Sequence, residues 1–160
     1  MNSFVNKIER RLRKILGAAY QTEVNSFLLA KNHIERIRTL GTVETLGDVE
    51  FRVFSQWGED GIIQYLISKM PIPNPSFIEF GVGYYFESNT RFLLMNNNWR
   101  GLVIEGVPKY VDYIQRDEDV YRRHNVTAIC RFLTRETING IFEGAGFVGD
   151  IGILSIDVDG

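Results

Sequence analysis

Apolar residues recur at helical spacing over residues 4–16, where Phe4, Val5, Ile8, Leu12, Ile15 and Leu16 share one face. Lys7, Arg10, Arg11, Arg13 and Lys14 fill much of the rest, and Gly17 is the expected stop. A second helix is expected from about Thr22 to Leu40, on Val24, Phe27, Leu28, Ile34 and Ile37. Gly41 to Val49 then reads as a polar connector. Beyond it the pattern changes to short apolar runs, Phe77–Phe80, Leu102–Ile104, Val126–Cys130 and Ile151–Ile156, each read as a buried strand. Helices are expected between them. One follows Ser55 and carries Ile62, Ile63, Leu66, Ile67 and Met70; the next follows Ser88-Asn89-Thr90. Two more are expected from Pro108 to about Tyr121 and after a cap at Thr134. Strands alternating with helices predict an α/β, Rossmann-like parallel sheet of order 3-2-1-4. The expected division is an N-terminal helical segment, residues 1–50, and a Rossmann-like domain, residues 51–160.

The stretch from Phe77 to Tyr85 organises the second region. A strand enters from the breaker cluster Pro71–Pro75, and Gly81 and Gly83 then permit a sharp turn and close approach of a ligand. A dinucleotide fingerprint would place a third glycine three residues after Gly83, where this chain has Phe86. Glu79 ends the strand as a carboxylate in a place that should be buried. It is either paired internally or waits for a ligand. An acidic residue two before the first glycine suits S-adenosylmethionine, which presents a cationic amino group and a sulfonium. Glu105, at the end of the next strand, is placed to accept the ribose hydroxyls of an adenosine ligand. Asp157 falls at the end of the fourth strand, with Asp159 on the same side by alternation. Carboxylates at several strand ends converge where ligands bind in parallel sheets.

Composition narrows the classes. The 160 residues suit one domain with a sizeable core, and a net charge of -2 gives no electrostatic footprint for nucleic acid. The lone Cys130 permits no intramolecular disulfide or cysteine metal cluster and fits a reducing cytosol, so a cytoplasmic location is expected. Cys130 lies in an apolar run and is expected to pack in the core, and His33, among polar neighbours, to lie on the surface. No metal is expected. The basic N-terminal helix is expected to pack on protein, its own domain or a partner subunit, rather than on a membrane surface. Strand four, apolar and at a sheet edge, is expected to invite pairing with another chain, so a homo-oligomer or aggregation is expected.

The motifs Ser55-Gln56-Trp57-Gly58-Glu59-Asp60, Phe77-Ile78-Glu79-Phe80-Gly81, Ser88-Asn89-Thr90 and Trp99-Arg100-Gly101-Leu102-Val103-Ile104-Glu105 resemble, in order and spacing, FkbM-type S-adenosylmethionine-dependent methyltransferases. Ile156-Asp157-Val158-Asp159-Gly160 is similar to that family's fourth-strand signature. The resemblance covers about residue 53 to the end. It implies a class I methyltransferase fold and methyl transfer from S-adenosylmethionine, commonly to a hydroxyl of a sugar or small metabolite. By the same resemblance Gln56, Glu79, Gly81, Gly83, Ser88, Asn89 and Glu105 would form the cofactor site. Asp157 would stand near the transferring methyl, and strand alternation puts Asp159 on the same side as a second candidate for the catalytic work. The chain departs from the pattern at Tyr84, Tyr85 and Phe86 in the glycine loop and at Gly106, where a proline is usual. A class I sheet has seven strands, so the expectation is an amino-terminal portion of such an enzyme. A nicotinamide-dependent reductase and a non-catalytic assembly domain of the same fold are the rival readings.

Overall fold

A computed structural model describes residues 2–157, beginning with one unbroken helix, α1, from Asn2 to Thr39. The two N-terminal helices expected from the pattern are therefore a single element, and Gly17 lies inside it. An interior glycine costs a helix about 1 kcal/mol, and Leu16, Ala18 and Ala19 beside it are good helix formers. Among the described side chains of α1, those from Val24 onward carry its packing on the rest of the chain. Ala30 and Ile34 bury against Phe92, with Phe27, Phe51 and Phe54 around them. Ile37 buries against Val49 and Tyr65.

The connector is pinned to the body. Asp48 accepts the Thr45 N–H at 3.1 Å, closing a short 3-10 turn over Leu46–Val49. The Tyr65 hydroxyl donates to the Gly41 carbonyl and accepts the Val43 N–H. Beyond the connector come α2 (Glu59–Lys69), β1 (Ser76–Phe80), α3 (Arg91–Asn97), β2 (Arg100–Glu105), α4 (Pro108–Arg116), β3 (Val126–Cys130), α5 (Ile138–Gly144) and β4 (Ile153–Ile156).

The four strands form one sheet, all parallel, in the order β3-β2-β1-β4. This is the Rossmann-like α/β arrangement that the alternating pattern predicts. Register places Glu79 between Val103 on β2 and Ser155 on β4. Side-chain alternation along each strand then divides the core in two. On one face Phe77, Val103 and Ala128 pack with Leu93 and Leu94 of α3 and with Val111 and Ile114 of α4. On the other, Ile78, Leu102 and Ile104 pack with Phe147 and with Ile141 and Phe142 of α5. Arg100 holds the end of α5, donating to the Ala145 and Gly146 carbonyls at 2.9 and 3.0 Å.

Several element boundaries differ from the sequence expectation, each for a local reason. α4 stops at Arg116 rather than near Tyr121, because the Asp117 carboxylate accepts the N–H groups of Asp119 and Val120 and turns the chain. α5 is capped at Thr137, whose hydroxyl meets that of Thr134 at 3.2 Å. Gly58, not Ser55, occupies the N-cap of α2, although the Ser55 hydroxyl accepts the Asp60 N–H at 3.0 Å. β4 begins at Ile153, two residues later than expected, and pairs with β1. His33 is exposed and stacks on Phe51 at 5.8 Å. Cys130 is half-buried against the α4-side core, its thiol directed at the Gly106 carbonyl. No helix among the described residues is long and apolar enough to cross a membrane.

Candidate functional site

The carboxyl ends of the strands open onto a cavity of about 810 Å³. Its wall includes Gly81, Gly83, Glu105, Val107, Phe132 and Asp157, so β1, β2, β3 and β4 each contribute a strand end or the residue just after one. Gly81 and Gly83 adopt φ of 84° and 52°, the left-handed backbone that glycine enters without steric penalty. The resulting loop crosses the mouth of β1 with bare backbone toward the cavity. Tyr85 also has a positive φ, 63°, and its buried ring holds that strained position. Burial, reinforced by the charge of Glu79, pushes the Tyr85 hydroxyl well above the ordinary tyrosine range.

Glu105 ties the two central loops together. One carboxylate oxygen accepts the Gly83 N–H at 2.9 Å and the other accepts the Val107 N–H at 3.0 Å. Each oxygen has a second lone pair, and the residue is only half-buried at the cavity wall. The group is held in place by backbone and keeps acceptor capacity for two hydroxyls.

Glu79 is differently placed. It is 1% exposed, and its carboxylate accepts the Asn89 N–H and the Ser155 hydroxyl on one oxygen. The other oxygen accepts the Thr90 N–H at 3.1 Å and the hydroxyls of Ser88 and Thr90 at 2.5 Å. Of the alternatives read from sequence, internal pairing is the one the geometry displays. Alternation aims Glu79 at the same face as Phe77, where the 88–90 turn folds over it. Glu79, Ser88 and Asn89 thus form a buried knot beneath the glycine loop, outside the cavity wall. Gln56 is exposed on a separate loop; its carbonyl accepts Arg52 Nη1 at 3.0 Å. That loop is fastened by Asp60, one oxygen of which accepts the N–H groups of Val53, Phe54 and Ser55. Burial raises the Asp60 carboxyl above the usual range, opposed by those bonds.

Asp157 is exposed at the cavity wall, and its N–H donates to the Phe80 carbonyl at 3.1 Å, continuing the β4–β1 pairing by one residue. Asp159 lies outside the described residues. Among the described residues no group of three His, Cys, Asp or Glu side chains is arranged to hold a metal ion.

Two features of the site are not read from the sequence. Phe132, 80% exposed just after β3, lies across Gly106; a Cβ there would meet its ring at 2.6 Å. The position after a strand's carboxyl end was the available signal. Tyr84 and Phe86 of the glycine loop join Tyr110 and Tyr113 of α4 in an aromatic cluster, with centroids 4.4 to 5.9 Å apart. Comparison with family models, characterised proteins and solved structures finds no match to this chain.

Proposed function

We propose that this cavity binds S-adenosylmethionine and that the chain belongs to an S-adenosylmethionine-dependent methyltransferase acting on a hydroxyl of a sugar or small metabolite. The observation that carries the reading is Glu105, fixed by two backbone donors at the end of β2 and facing a cavity floored by the Gly81–Gly83 backbone. A carboxylate with free lone pairs at this strand end fits the two ribose hydroxyls of an adenosine ligand. The dinucleotide alternative lacks its third glycine, with the bulky and exposed Phe86 in that place.

S-adenosylmethionine supplies an electrophilic sulfonium methyl when bound. The protein's part is to orient and to move a proton. Gly81 and Gly83 allow close approach of the ligand backbone-first, and Glu105 fixes the ribose. The Glu79 knot with Ser88, Asn89 and Thr90 holds the loop rigid from beneath. Asp157, at the end of the neighbouring strand, accepts the proton of the acceptor hydroxyl. Gln56 keeps its cofactor-side assignment through the family resemblance, and Asp159 its acceptor-side assignment through strand alternation with Asp157.

Isothermal titration with S-adenosylmethionine, S-adenosylhomocysteine and NAD tests the reading. Binding of the first two with little or no response to NAD supports it. Binding of NAD alone assigns the cavity to a reductase, and silence toward all three leaves the fold as an assembly domain.

A further inference from the structure

Residues 7–23 of α1 form an amphipathic stretch that the rest of the described chain does not bury. Every residue from Lys7 to Glu23 is exposed, and Ile8, Leu12, Ile15, Leu16 and Tyr20 are between 43% and 69% exposed. Ile8, Leu12, Ile15 and Ala19 follow the 4-3-4 spacing of a helix-pairing seam. Opposite them, residues 7–14 carry five cations against the single carboxylate of Glu9, whereas the chain as a whole has a net charge of -2. The acidic excess therefore lies in the remainder of the molecule.

Part of that excess rims a groove of about 940 Å³ beside the same helix. Its walls are Leu16 and Glu23 of α1, Tyr84 of the glycine loop, and α4 with the turn after it. Glu23, Asp112 and Asp117 outnumber the groove's two cations, Lys109 and Arg116, while the fourth carboxylate, Asp119, is paired with Arg123 at 3.1 Å. Tyr84 and Tyr113 provide the apolar wall, their rings 5.3 Å apart and about 40% exposed. The groove thus has an aromatic wall and an acidic rim, and the free helix has an apolar face and a basic one.

We propose that two copies of this chain pair antiparallel through α1, the basic apolar turns of each lying in the acidic, aromatic-walled groove of the other. A two-fold axis makes the contact self-complementary, since each chain gives one helix end and receives one. The groove begins at Leu16 and runs past Glu23, along the second half of the exposed segment. A partner helix running antiparallel therefore brings Ile8 and Leu12 alongside the seam and the cations nearest the apolar face, Arg11 and Lys7 one turn before it, toward the acidic rim. Attraction between the basic segment and the acidic rim sets the pairing direction, and it weakens with salt. The contact is independent of what the strand-end cavity binds.

The test is sedimentation of the whole chain with charge-swapped variants, each first checked for an unchanged circular dichroism spectrum. The substituted side chains lie on exposed surface of α1 and α4, so the fold should be kept. Wild type is expected to dimerise, and Leu12→Glu with Ile15→Glu to raise the dissociation constant at least about tenfold. A variant with Glu23→Lys and Asp112→Lys should dimerise poorly, as should one with Lys7→Glu and Arg11→Glu. Mixing these two should restore a dimer, because each then presents the charge the other needs. A mixture that stays monomeric overturns the proposal. So does a wild-type monomer, or a dimer lost on Ile156→Lys at the exposed edge strand but kept by Leu12→Glu with Ile15→Glu. Salt-sensitive binding to vesicles of phosphatidylcholine and phosphatidylserine by a chain that is monomeric in solution also overturns it, in favour of a membrane surface.

Discussion

Glu105 accepts the Gly83 N–H at 2.9 Å, so the end of β2 holds the loop that follows β1. The bond spans 22 residues of sequence and joins the two features on which the ligand reading rests. Glu105→Ala should release the Gly83 and Val107 donors and remove the ribose acceptor. Loss of a charged acceptor costs on the order of 1–3 kcal/mol, a fall of roughly 5- to 150-fold in affinity for S-adenosylhomocysteine. Titration calorimetry checks it, and an unchanged affinity removes Glu105 from the ligand site.

Gly101 makes a stability prediction independent of function. A Cβ there would stand 2.2 Å from Phe77 Cζ, and both residues are buried. Gly101→Ala should therefore lower unfolding free energy by about 1–3 kcal/mol through overpacking. Phe77→Leu should recover part of that loss in the double variant, which a denaturant double-mutant cycle measures. Gly61→Ala offers the contrast. Its Cβ would meet the Val49 carbonyl oxygen at 2.1 Å, so no side-chain movement can relieve it.

The fold was legible because strand alternation with helices leaves few topologies, and the order β3-β2-β1-β4 followed from it. The placement of Glu105, Gly81 and Gly83 at one cavity was legible for the same reason: each is set by a strand end. Glu79 was legible only in part. Its strand position is local, but its partners arrive through tertiary folding, with Ser155 lying 76 residues away in sequence. Gly17 misled because a breaker inside an amphipathic pattern resembles a stop, whereas an interior glycine can be carried by its neighbours' propensity. Phe132 carried no periodic signal at all, since it sits in the loop after β3. The aromatic cluster around Tyr84 needed α4 to return beside the glycine loop.

Asp60 gives a pH prediction. Its carboxyl is raised above the ordinary value of 3.8 chiefly by burial. The folded chain therefore binds this proton more tightly than the unfolded chain does. The group's contribution to stability is then greatest below pH 3.8 and declines as pH rises through the raised value. Asp60→Asn keeps an oxygen for the three N–H groups of Val53, Phe54 and Ser55 and carries no charge to desolvate. Its stability should lack that decline when unfolding is followed from about pH 3 to pH 7. Asp60→Ala should instead cost about 1–3 kcal/mol throughout, because the donors lose their acceptor. Equal slopes for wild type and Asp60→Asn would show that the decline has another source.

The last prediction concerns Asp157, which the proposed reaction uses as the base. Its N–H donates to the Phe80 carbonyl at 3.1 Å, so the backbone is fixed while the side chain stands exposed at the cavity. Asp157→Asn preserves size and hydrogen bonding but cannot take a proton. Methyl transfer from labelled S-adenosylmethionine to a panel of sugar and small-alcohol acceptors should fall about 10²–10⁴-fold, the usual contribution of a positioned base. Affinity for S-adenosylhomocysteine should stay the same, because the proposed ribose acceptor, Glu105, lies on the other side of β1. That separation of turnover from binding distinguishes a base from a residue that shapes the cavity, whose loss would weaken both. Asp159→Asn is the companion measurement. If it abolishes turnover while Asp157→Asn leaves it near normal, the proton goes to Asp159, and Asp157 serves only to continue the pairing of β4 with β1.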